Sequence, residues 1–261
     1  MNSIWHSFQE KNNAVIENNS IINYGNASTE LEKTGSNILI MADLSHSGVI
    51  HFSGEDASEF LQGQLSCDVT KIDQHTAQYG SCCTPKGRML ASFIIWKNPS
   101  GYFMQLPLSL LITLEKRLSM YVMRSKVKLN NDSDRYIRIG IAGNLTSEIV
   151  EKIFGASPDL FLGVMNNENE SIICLSQDRF EIVTTQEHAP KIWEDLKKYA
   201  MPVGRFCWDW LEIKAGIPVI TPATQEQFVP QMTNLEAIGG ISFQKGCYPG
   251  QEIVSRTQFL G

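Results

Sequence analysis

The residues best suited to chemistry lie together near the end of the chain, in Lys245-Gly246-Cys247-Tyr248-Pro249-Gly250-Gln251-Glu252. A cysteine reacts only as thiolate, and nearby positive charge or amide donors favour that form. In an extended segment Lys245 falls on the same side as Cys247, and Arg256 can return in space, so a thiolate stabilised by a cation is one reading. Gly246 and Gly250 permit conformations or close approaches closed to other residues. Gln251 and Glu252 supply polar orientation. The other reading is a tight structural turn around a buried thiol, and the residue types leave both open. A Cys-His dyad would have to draw on His46, His51, His75 or His188, none of them adjacent in sequence.

Other groups are weaker. Trp208 and Trp210 stand two apart on an expected helix, so they project to different faces. One is expected in the core, while the other can border a cleft as a stacking surface for a heterocycle. Ser45 and His46 have no matched acid, which argues against a hydrolase triad. The six cysteines form no C-x-x-C pair and no Cys/His run with metal spacing, so no metal site is expected. Five of them have apolar or strand-like neighbours and read as small core residues; Cys247 is the exception.

These groups need a scaffold, and 261 residues with 43% hydrophobic and 19% charged content suffice for one large domain or two modest ones. No apolar run is long enough to span a bilayer, no secretion signal is visible, and a cytoplasmic chain with reduced thiols is expected. A net charge of −6 argues against a standing grip on nucleic acid. Direct tRNA contact would rest on Lys116, Arg117, Arg124, Lys126 and Lys128, whose plainer reading is a solvated helix face running into an edge strand. Residues 1–36 read as a flexible N-terminal arm. Period-2 and helical spacings then predict strands near 48–53, 77–84, 89–96, 102–106, 126–129, 135–142, 172–175 and 180–184. Helices are predicted near 57–65, 109–123, 146–154, 189–199 and 206–215. Repeated hairpins imply antiparallel pairing and an α+β class, with two similar halves at 37–130 and 131–216. Residues 217–261 read as a loop-rich segment carrying the Lys-Gly-Cys-Tyr motif.

The terminal motif, with Pro230-Gln231, Asn234-Leu235 and Gly239 to Gln244 before it, resembles the signature of the YgfZ family of folate-binding proteins. Gly54 to Gln64 with Cys67-Asp68-Val69, Pro85-Lys86-Gly87-Arg88, Ser125-Lys126-Val127 and Ala215 to Ile220 agree in order. Asp43 to Gly48 is similar to an early motif of the related glycine-cleavage T-protein. The resemblance implies tetrahydrofolate, or a derivative, in a central cavity between two mixed α/β halves. It implies a role with iron–sulfur cluster assembly or client proteins and, through iron–sulfur enzymes, in tRNA modification. Cys247 becomes the functional thiol with Lys245 beside it. Trp208, Ser47, Gln231, Asn234, Tyr248 and Arg256 become folate contacts, and Gly246, Gly250, Gln251 and Glu252 complete the motif.

Three departures shape the functional expectation. T-proteins carry an acidic pair where this chain has Ala91 and Ser92, so aminomethyl transfer is not expected; a methyl group cannot polarise a substrate amine. Many relatives have Glu where Lys214 stands, and a lysine offers a pterin donor edge only more donors. Relatives continue into a small β-barrel domain that this sequence does not contain, so a mobile Cys247 loop is expected. The leading reading is a folate-binding accessory protein. The alternatives are a tetrahydrofolate-dependent aminomethyltransferase or related one-carbon transferase, and a folate-binding remnant acting only through partners.

Overall fold

The computed structural model describes residues 3–260. Residues 1–2 of the expected arm and Gly261 of the terminal segment lie outside them. The chain opens with α1 (Ser3–Lys11), β1 (Val15–Glu17), β2 (Ser20–Asn23), α2 (Ala27–Gly35) and β3 (Ile40–Asp43). It continues through β4 (Ser47–Ser53), α3 (Ala57–Gln62), β5 (Gln78–Cys83), β6 (Met89–Asn98), β7 (Gly101–Pro107), α4 (Leu108–Val122) and β8 (Lys128–Asn131). Then come β9 (Tyr136–Ala142), α5 (Thr146–Phe154), β10 (Val164–Asn166), β11 (Glu170–Ser176) and β12 (Arg179–Thr185). The last elements are α6 (Ala189–Lys197), β13 (Met201–Val203), α7 (Arg205–Lys214) and α8 (Gln251–Leu260). No helix among the described residues is long and apolar enough to cross a membrane.

The elements form two compact units, each drawn from two stretches of chain: 1–46 with 133–212, and 47–132 with 213–261. The first holds a six-stranded sheet of order β10-β11-β12-β9-β3-β13, antiparallel except for the parallel β3–β13 pair. In β9, Ile137, Ile139 and Ile141 alternate with Arg138 and Gly140, which puts the isoleucines on one face. That face carries the core, where they meet Val150 of α5, Ile192 and Trp193 of α6, and Trp5 of α1.

The N-terminal segment is folded, where its polar composition suggests an arm. Trp5 sits edge-on to Trp193 at 5.6 Å and donates its indole N–H to buried Asp43 at 3.0 Å. Asn26 caps α2 by accepting from the Thr29 N–H. Buried Glu30 accepts from the N–H groups of Tyr24 and Gly204 at 2.7 and 2.8 Å.

The second unit holds a fully antiparallel sheet of order β5-β6-β7-β4-β8. Leu110, Leu111, Leu114 and Leu118 form the buried stripe of α4, at about 1.5–3 kcal/mol each. The β5–β6 hairpin turns through Pro85-Lys86-Gly87-Arg88. There Thr84 N–H donates to the Arg88 carbonyl at 2.8 Å, and Gly87 takes a φ of +71°. The basic stretch from Lys116 ends in β8, an edge strand as expected. Helix α8 is unexpected: apart from Ile253-Val254 and the Phe259-Leu260 end its sequence is polar, and Val254 is its fully buried anchor.

Candidate functional site

Unit two displays the Cys247 loop. Of the six cysteines, five are buried and Cys247 alone is exposed. Burial pushes the thiols of Cys67 and Cys82 up to about 12 and those of Cys83 and Cys174 to about 11, which silences them at neutral pH. Among the described residues no side chain hydrogen-bonds or pairs with the Cys247 thiol. His51 is engaged by Asp132 at 3.3 Å and the Ser100 carbonyl at 3.1 Å, and His188 by Thr185 at 2.9 Å, so neither of these two distant histidines forms a dyad with Cys247.

Lys245 is not directed at that thiol. Its ammonium is buried and donates to the carbonyls of Gln62, Leu65 and Cys67 at 2.6, 2.6 and 2.9 Å. Its three protons are thereby spent. The expectation of an extended segment fails because residues 245–251 turn back, with the Gln251 N–H donating to the Tyr248 carbonyl at 3.1 Å. The Lys245 ammonium lies 5.1 Å from the centre of the Tyr248 ring. Tyr248 itself is buried, its hydroxyl lacks a partner, and burial raises its pKa.

The motif glycines differ. A Cβ at Gly246 would meet nothing within 4 Å, whereas Gly250 has a φ of +84° and a Cβ there would lie 2.6 Å from the Gly87 Cα. Gly250 therefore allows the terminal motif to press on the Pro85–Arg88 hairpin. Gln231 donates to the Val254 carbonyl at 2.6 Å and leaves its own buried side-chain oxygen without a partner. Asn234, at a φ of +64°, donates to the Gly216 carbonyl at 3.0 Å. Glu252 and Arg256 are exposed on α8, and Ser47 opens β4 opposite Pro107. Ser92, where a transferase carboxylate is expected, is buried and accepts from the Ile220 N–H at 3.0 Å.

In unit one Trp208 is core, only 3% exposed. Its ring lies on Gly140, where a Cβ would come within 2.6 Å of the indole, and the Arg179 guanidinium stands 5.7 Å from the ring centre. Trp208 also donates to Glu212, which pairs with Arg179 at 3.3 Å. Burial raises the Glu212 carboxyl, Arg179 pulls it down and Asp209 pushes it up again. The expected folate-stacking face is thus covered; Trp210 is half-buried and Lys214 exposed. The sequence reasoning missed Arg138, Arg179 and Glu181, all buried on this polar face of the sheet. The signal was there: each alternates with an apolar neighbour in a strand whose other face is core. His46 was also undervalued. Burial and the positive charges of Arg205 and Arg138 push it down to about 3, and its buried Nδ1 lacks a partner.

Residues 25–241 match the profile of the family described as GCVT N-terminal domain. The tRNA-modifying protein YgfZ of Colwellia psychrerythraea is 34% identical over 224 residues, 85% of this chain and 68% of that protein. This chain belongs to the YgfZ family. The YgfZ protein of Enterobacter sp. strain 638 is 32% identical over 225 residues, 85% of this chain and 69% of that one. The chain therefore spans about two thirds of the length of these YgfZ relatives. The glycine cleavage system aminomethyltransferase T of Bartonella henselae superposes with a TM-score of 0.77 over 99% of this chain and 75% of its own, at 16% identity. That likeness establishes the T-protein fold for this YgfZ chain.

Proposed function

We propose that this chain is a cytoplasmic folate-binding accessory protein for iron–sulfur cluster assembly or client proteins, and through them for tRNA modification, with Cys247 as its functional thiol. The observation that carries the reading is selective exposure. One thiol of six is presented, and it stands in the Lys245–Glu252 segment by which the sequence resembles the family. For folate, the supporting chemistry is the polar face of unit one: buried Arg138, Arg179 and Glu181 with half-buried Glu212 offer both cations and carboxylates. Carboxylates suit the donor edge of a pterin, and guanidinium groups suit the carboxylates of a folate tail. Trp208 as it stands does not fit a stacking role, because its ring is covered. Folate would supply a one-carbon carrier; this chain's residues would bind and orient it.

Turnover as an aminomethyltransferase is disfavoured because the Ser92 hydroxyl is occupied by the Ile220 N–H. Rescue of iron–sulfur enzyme activity in a deletion strain by wild type but not by Cys247→Ser is the expected result, and equal rescue by both would sink the thiol role. Sustained formation of methylene-tetrahydrofolate from an S-aminomethyl thioether donor, with ammonia and the thiol released, would instead establish the transferase. Folate binding, tested by calorimetry with a reduced folate, is expected; its absence would remove the ligand from the proposal.

A further inference from the structure

We propose that Lys245 is a positioning residue: its ammonium clamps the Cys247 loop onto the turn that follows α3, and it does not activate the thiol. The inference rests on the reading of Cys247 as the functional group. The carbonyls it binds, of Gln62, Leu65 and Cys67, lie at the C-terminal end of α3 and in the turn beyond. A helix leaves such carbonyls without intrahelical partners and places partial negative charge there, so a cation is the matching group.

The charged and titratable groups that face the ammonium are the Cys67 thiol, the Asp68 carboxylate and the Tyr248 phenol. Asp68 is already engaged by Thr70 at 2.7 Å, Gln62 at 2.9 Å and Lys71 at 3.7 Å. The carbonyls are therefore the lysine's principal partners. Burial pushes Lys245 down to about 8, against the opposing influence of Cys67 and Asp68, which leaves an ammonium at neutral pH.

Fastenings on either side give the clamp its meaning. Upstream, Ser66 donates its hydroxyl to the Gly240 carbonyl at 2.7 Å and accepts the Ser242 N–H at its own carbonyl at 2.9 Å. Downstream, Gly250 is seated against Gly87. Gly246 and Cys247 lie between these fixed points, with open space around the former and the latter exposed. The loop expected to be mobile is thus pinned, and Lys245 is the side chain that does most of the pinning.

The test uses the full chain and a Lys245→Met variant, with amide hydrogen exchange over residues 240–250 and iodoacetamide alkylation of Cys247 from pH 6 to 10. Exchange in the loop is expected to rise about tenfold or more, because hydrogen bonds to a charged donor are lost. The pH midpoint of alkylation is expected to move by less than about half a unit. Unchanged exchange overturns the proposal, and so does a midpoint raised by about one unit or more. Should the variant not fold, acylation of wild-type lysines with acetic anhydride decides. Lys245 should label at least about tenfold more slowly than exposed Lys86 and Lys116, and equal rates overturn the clamp. These readouts are independent of any cellular role of Cys247, so failure of the clamp and failure of the thiol reading are told apart.

Discussion

Trp208→Ala separates a ligand platform from a core residue. The ring is 97% buried by its 3% exposure, lies on Gly140 and touches the Arg179–Glu212 pair. A tryptophan of this kind buries about 150–250 Å², worth roughly 4–6 kcal/mol at 25 cal/mol per Å². Measured truncations of buried aromatics cost about 3–5 kcal/mol, and the two figures agree. The variant also strips the indole N–H from Glu212 and the ring from Arg179. For a chain of this size about 1 kcal/mol corresponds to 2–4 °C, so Tm should fall by roughly 6–20 °C in a calorimetric scan. Trp208→Phe, which keeps a ring on Gly140 but loses the donor, should lose only about 1–3 kcal/mol. The reasoning is refuted by a Trp208→Ala protein that melts within about 2 °C of wild type yet no longer binds a reduced folate. That result would mean the indole faces the ligand.

Three further outcomes are expected. Because folded His46 is pushed down to about 3, the unfolded chain binds more protons between that value and about 6.5, so the His46 contribution to stability falls with falling pH. The unfolding free energy of wild type minus His46→Gln should change by about 1.4 kcal/mol per unit between pH 6 and 4, and a flat difference would contradict the burial argument. Gly250→Ala must adopt a positive φ and displace Gly87, so urea unfolding should show a loss of about 2–4 kcal/mol, against less than about 1 for Gly246→Ala. The reverse order would dismiss the seating of Gly250. Titration with a disulfide reagent should find one fast thiol in the native protein and six after denaturation; a second fast thiol would show that burial does not silence its group.

What was legible in the sequence was periodic. Alternating isoleucines marked β9, and Thr146–Phe154 was foreseen to the residue as α5. Hairpins marked β5 to β7, and with them the antiparallel α+β class. What was hidden depends on partners far along the chain. Trp5 finds Asp43 across 38 positions, so a polar nine-residue helix reads as an arm. β13 contains Pro202, which argues against a strand until one sees that β13 is a sheet edge, where a missing N–H is tolerated. In the site, the presence of Lys245 and Cys247 was plain, but the lysine's acceptors are backbone carbonyls 178–183 positions away. Backbone acceptors leave no side-chain signature, so proximity in sequence suggested the wrong partner.

That distinction bears on what the motif is for. A lysine beside a thiol invites the idea of chemical activation, yet its charge is committed to the end of a helix. Meanwhile the place where a transferase would hold a carboxylate carries a serine whose hydroxyl anchors Ile220. Both of the polar groups one would first assign to catalysis in unit two are thus occupied in holding backbone. Five thiols are buried, four of them driven to about 11 or 12, and one remains in the open. A loop held in this way, with one exposed thiol on it, supports the proposal that Cys247 is presented to a partner. On that proposal the partner has to supply any base the thiol requires, because among the described residues no side chain pairs with it.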